Sequence, residues 1–130
     1  MKREYLVPLS LIILLVLLVG AGWGSNRFLE QGSDSLVVIA EDLQTEIYGQ
    51  EWNKAQITFA EIKKSWQQMS KYWPMLVHHQ EMDRIEESLT KLEVYLLYQE
   101  PSDAQAELRT LVKLIQHIPK KETLNLKNLF

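Results

Sequence analysis

The sequence contains no cysteine. A disulfide framework, a thiolate nucleophile and any zinc site built on sulfur are therefore excluded. So is the lipid-attachment cysteine of a lipoprotein. Because a cysteine-free chain suits either side of a bacterial membrane, the compartment must be read from the N-terminus. Glycine is scarce, with five in 130 residues, and none stands in a phosphate-cradling pattern, which argues against nucleotide binding. Serines are scattered and no Gly-x-Ser-x-Gly turn is present, so nucleophilic catalysis finds no support. There is also no basic surplus: the formal net charge is -3. Lys63-Lys64 and Lys120-Lys121 are pairs rather than a patch, and a nucleic-acid partner needs clustered Lys and Arg. The expectation is a protein that is not an enzyme, carries no cofactor and binds no nucleic acid.

Charge is also missing from one long stretch. Tyr5 to Asn26 has no Asp, Glu, Lys or Arg, and Leu6 to Val19 is Leu, Ile and Val broken only by Pro8 and Ser10. At about 1.5 Å of rise per residue this stretch reaches roughly 30 Å, the thickness of a hydrocarbon core. Pro8 lies in the first turns, where a missing N–H costs little. Trp23 sits where an interfacial ring belongs. A retained anchor and a cleaved secretory signal are the two readings, since Val19-Gly20-Ala21 has the small residues a signal peptidase accepts. The length of the apolar run favours the anchor. Lys2, Arg3 and the terminal amine precede the span, so the positive-inside rule predicts a cytoplasmic N-terminus and an extracytoplasmic body.

The remainder is dominated by an aromatic column. Trp52, Phe59, Trp66 and Trp73 recur every seventh residue, with Ala55, Ile62 and Met69 between them. This is the seam of a heptad and predicts one apolar stripe on a helix. Rings of this size supply much of a small core, so the column is read as buried rather than as an exposed sugar-stacking platform. A preceding helix is predicted from Leu36 to Ile47, with Gly32-Ser33-Asp34-Ser35 as a turn before it and Gly49 as its stop. At Trp73-Pro74 the apolar register shifts to Met75, His78, Met82, Ile85, Leu89, Leu92 and Leu96. That shift predicts a chain reversal and a third helix from Pro74 or Met75. Ser102 and Gln105 read as a capping box for a fourth helix carrying Ala104, Leu108, Leu111, Ile115 and Ile118, closed by Pro119.

The fold class expected is therefore all-α: an N-terminal transmembrane helix followed by an up-and-down antiparallel four-helix bundle. A tetratricopeptide-like stack of hairpins would show a repeat at its own period, and none is seen. The expected divisions are 1–26 cytoplasmic start and anchor, 27–35 linker, 36–118 bundle and 119–130 apolar tail. Alternate leucines at Leu124 and Leu126, with Leu129 and Phe130, suggest an extended tail that caps the bundle.

The N-terminal span, the tryptophan-bearing helix, His79-Gln80-Glu81-Met82-Asp83-Arg84-Ile85 and the ending from His117-Ile118-Pro119 to Asn128-Leu129-Phe130 together resemble the family catalogued as domain of unknown function 4363. The resemblance implies a small, singly anchored helical membrane protein of a Gram-positive bacterium, and it transfers no catalytic residues. One cluster has metal-ligand character. His79, Asp83 and Glu86 stand at i, i+4 and i+7, on one helix face, with His117 able to join from the next helix. The spacing matches neither Glu-x-x-His nor His-Glu-x-x-His, and the bland alternative is a solvated helix face. The leading expectation is a membrane-anchored extracytoplasmic interaction module, meeting lipid through its first helix and an unidentified protein partner through its bundle. The alternative is a metal- or small-ligand-binding sensor domain.

Overall fold

The computed structural model describes residues 5–129, with side chains described for residues 5–120. Four helices follow one another: α1 (Leu6–Tyr48), α2 (Trp52–Met69), α3 (His79–Leu97) and α4 (Pro101–Leu129). A short 3-10 turn, Trp73–Met75, lies between α2 and α3. Each helix packs against its neighbours in sequence and α1 against α4, which closes the ring of an up-and-down bundle.

The first helix departs from expectation. No turn forms at Gly32-Ser33-Asp34-Ser35, and the expected linker at 27–35 is helical. The apolar run and the first bundle helix are one rod of 43 residues, about 65 Å long. Gly32 and Ser33 are small because they face neighbours: a Cβ on Gly32 would lie 2.9 Å from Met69 Cε, and Ser33 is buried. Their turn-like composition reflects close packing on the inside of a helix. Leu29, Leu36, Ala40, Leu43 and Ile47 complete the buried stripe.

The other reversals are tight. The α1–α2 and α3–α4 turns share one geometry: Glu51 N–H reaches Glu46 O and Glu100 N–H reaches Tyr95 O. The helix ends at Tyr48 as expected, yet the left-handed residue is Gln50 (φ 53) and not Gly49, with Gln99 (φ 56) as its counterpart. The α2–α3 reversal falls where the register shift placed it. However, α3 begins at His79, not at Pro74 or Met75. Residues 70–78 are used by the turn itself, so Met75 points outward, 84% exposed, and Val77 instead of His78 enters the core.

Helix α4 starts at Pro101, a position suited to proline because the first helical N–H has no partner to lose. Ser102 is therefore inside the helix, and the capping box is replaced by a tertiary bond: Gln105 Nε2 donates to Gln44 O at 3.0 Å. Nor does Pro119 end the helix, which continues to Leu129. A proline in a helix leaves the carbonyl four residues earlier without its N–H. Here that carbonyl is Ile115 O, and the buried Ser33 hydroxyl donates to it at 3.2 Å. The extended course expected for the tail is thus a helix through Leu129. Capping of the bundle by Leu124, Leu126, Leu129 and Phe130 concerns side chains outside the described residues.

Candidate functional site

The aromatic column faces inward. Phe59, Trp66 and Trp73 are buried and Trp52 is half-buried. Trp66 and Trp73 meet edge to face with centroids 5.5 Å apart, a favoured ring arrangement. Their indole N–H groups are buried without a hydrogen-bond partner, a cost that their large apolar burial outweighs. Buried rings offer no platform on which a sugar could stack.

The expected metal candidates all lie at the surface. His79, Asp83 and Glu86 are exposed on α3, and His117 is exposed on α4. Among the described residues, no three His, Asp or Glu side chains converge on a point where a cation could be held. His117 instead lines a shallow α3–α4 groove of about 690 Å³ with Glu81, Arg84, Lys113 and Lys120. Three cationic side chains around an imidazole oppose a divalent metal by direct charge repulsion and suit an anion better. Elsewhere on α3, Glu87 bonds the exposed Lys91 ammonium one turn away at 3.0 Å. That hydrogen bond and the carboxylate charge hold the Lys91 pKa above its ordinary value.

The surface that sequence reasoning missed is the seam between α2 and α3, the loosest in the ring. On α2 the positions turned toward α3 are Gln56, Ala60 and Lys63; on α3 they are Thr90, Glu93 and Leu97. Ala60 is too short, and Gln56, Lys63 and Glu93 too polar, to fill the space between the helices, so a groove of about 520 Å³ remains, floored by Phe59 and walled by Val94 and Leu97. Leu97 is 65% exposed. One ion pair, Lys63 Nζ to Glu93 at 3.3 Å, crosses the groove. The available signal was Leu97: it falls off the α3 stripe, and an exposed leucine beside a core position is a marker only once the partner helix is known.

Among the described residues, one helix, α1, is long and apolar enough to cross a membrane, with a mean hydropathy of 2.5 over an eighteen-residue window that no other part of the protein covers. The molecule is thus an all-helical bundle built on a rod whose N-terminal part holds a strongly apolar stretch of eighteen residues. The chain belongs to the family described as Domain of unknown function (DUF4363), whose model matches residues 23–129. No curated protein and no solved structure matches it.

Proposed function

We propose that this protein is a non-enzymatic interaction module, anchored in the membrane by α1 with its bundle on the extracytoplasmic side, and that the α2–α3 groove receives a helical segment of a protein partner. The observation that carries this reading is the groove: α2 and α3 are the least closely packed neighbours in the ring, and their seam leaves Val94 and Leu97 exposed over the buried Phe59, beneath a single exposed ion pair. Its form suits the helix-in-groove mode, in which an amphipathic helix lays apolar anchors between two others. Lys2 and Arg3 ahead of the apolar run support the orientation. A photo-cross-linking residue at Leu97, in the native membrane, is expected to give one discrete adduct that Ala60→Lys abolishes. Adducts identical to those from Asp42, which is exposed on α1, would sink the reading.

A second reading, an extracytoplasmic small-ligand sensor, is favoured by the α3–α4 groove with its Arg84, Lys113, His117 and Lys120. The ligand chemistry there is an anion, and the groove's shallowness places this reading second. Inorganic phosphate titrated into the full chain in detergent should release measurable heat if it holds; no heat at millimolar concentration rejects it.

A further inference from the structure

The unbroken α1 rod carries a consequence for the end of the bundle nearest the apolar run. A flexible linker would let the body drift from its anchor. A continuous helix instead fixes the height of every bundle residue above the span. The α2–α3 turn lies at that end. Tyr72 in the turn meets Phe28 of α1 edge to face, with centroids 6.4 Å apart. Phe28 is five positions beyond Trp23, a rise of about 7–8 Å. The polar interface on each side of a hydrocarbon core is itself about 5–8 Å deep. With Trp23 at the edge of the hydrocarbon core, as expected for an interfacial ring, the turn is held at headgroup depth.

The side chains at this level are those that an interface selects. Trp23 is 69% exposed, Tyr72 60% and Met75 84%, and Phe28 is also exposed. Arg27 stacks on the Trp23 ring at 5.8 Å; Lys71, next to Tyr72 in the chain, and Lys120, which shares a pocket with Glu30, are exposed as well. Among the described residues, Glu30 and Asp34 share a pocket with Lys120, and Glu81 shares another with it. Amphipathic rings and long cationic side chains gather at membrane–water boundaries because each has one end that prefers lipid and one that prefers water. The turn is also stiff. Trp73 and Val77 are buried in the end of the bundle, and Leu76 and Val77 N–H groups both bond Trp73 O at 2.8 Å. Met75 is thereby held outward on a rigid support, where in water it would gain nothing.

We propose that the α2–α3 turn is a second membrane contact, with Tyr72 and Met75 seated among the lipid headgroups and Lys71 beside the phosphates. The bundle then meets the bilayer at the turn as well as through the span, and rotation about α1 is opposed. This inference rests on the reading of α1 as a retained anchor. The experiment separates the two. Because the chain has no cysteine, single spin labels can be placed on Met75→Cys, Tyr72→Cys, Tyr98→Cys and Leu14→Cys in the full chain reconstituted into phosphatidylcholine–phosphatidylglycerol vesicles. Tyr98 is exposed at the far end of α3 and serves as the water reference. The expected result is a several-fold lower collision rate with a water-soluble relaxation agent at positions 75 and 72 than at 98, and a deeper lipid signal at 14. Labels at 75 and 72 as accessible as the one at 98, with 14 in lipid, overturn the second contact and leave the anchor standing. A label at 14 that meets water overturns both.

Discussion

Two opposite seams of the same bundle are held in different ways. Where α1 meets α4, Ser33 bonds the Ile115 carbonyl in a buried position, Gln105 bonds Gln44 O, and Leu36, Leu43, Leu111 and Ile115 are buried. Where α2 meets α3, the link is the exposed Lys63–Glu93 pair over a groove. The α1–α2 and α3–α4 seams fall between, each with a hydroxyl-to-carboxylate bond: Thr58 to Glu46 at 2.8 Å and Ser88 to Glu107 at 2.7 Å. Stability and accessibility are thus segregated. The rod is locked to α4, while the face diagonally away from it is left open.

Matched leucines on the two sides should respond most differently. Leu111→Ala on the buried side of α4 is expected to cost about 2–5 kcal/mol through lost burial and the cavity left behind. Leu97→Ala on the open side should stay within about 0.5 kcal/mol. Urea denaturation of the full chain in detergent, followed by circular dichroism, measures both. Equal losses would mean that the α2–α3 side is as much core as the α1–α4 side.

Next in size is the bond that accommodates the helical proline. Ser33→Ala leaves Ile115 O buried and unpaired, at an expected cost of about 1–3 kcal/mol. Pro119→Ala supplies the missing N–H from within α4, so Ser33→Ala made in that background should cost markedly less. The coupling in the double-mutant cycle is expected to exceed about 0.5 kcal/mol. Additive losses would show that the hydroxyl and the proline are unrelated. Ala60→Leu comes third: it fills the groove with apolar surface and is expected to stabilise by about 0.5–1 kcal/mol while weakening partner capture at Leu97.

These residues also show what could be read before the fold was seen. The aromatic column and the α3 and α4 stripes were legible because a heptad of large apolar groups has one physical solution, inward burial on a helix. The chain reversal at Trp73-Pro74 followed from a register shift that no straight helix can absorb. Gly32-Ser33 and Pro119 misled for a common reason. Local propensity marks them as a turn and a stop, but packing makes both helical: Gly32 lies against Met69 of α2, and α4 approaches α1 closely enough for Ser33 to serve the carbonyl that Pro119 abandons. Tertiary packing overrode propensity in both places. The open seam was illegible because it depends on which faces of α2 and α3 meet. Gln56, Ala60 and Lys63 look like any solvated helix face until a neighbour is placed against them.

The weakest of these contributions belongs to the ion pair that crosses the open seam. Lys63 and Glu93 are about half exposed, with side-chain exposures of 45% and 53%. An ion pair in that setting is worth less than about 1 kcal/mol and is screened at a Debye length near 8 Å in physiological salt. Lys63→Ala should therefore destabilise by a few tenths of a kcal/mol in low salt, and the difference should vanish at 1 M salt. Ser33→Ala is the control, since a buried hydroxyl-to-carbonyl bond carries no net charge and its cost should not respond to salt. If Lys63→Ala instead costs as much as Ser33→Ala and keeps that cost in salt, the pair is a clamp that closes the groove, and a partner would have to displace it to bind.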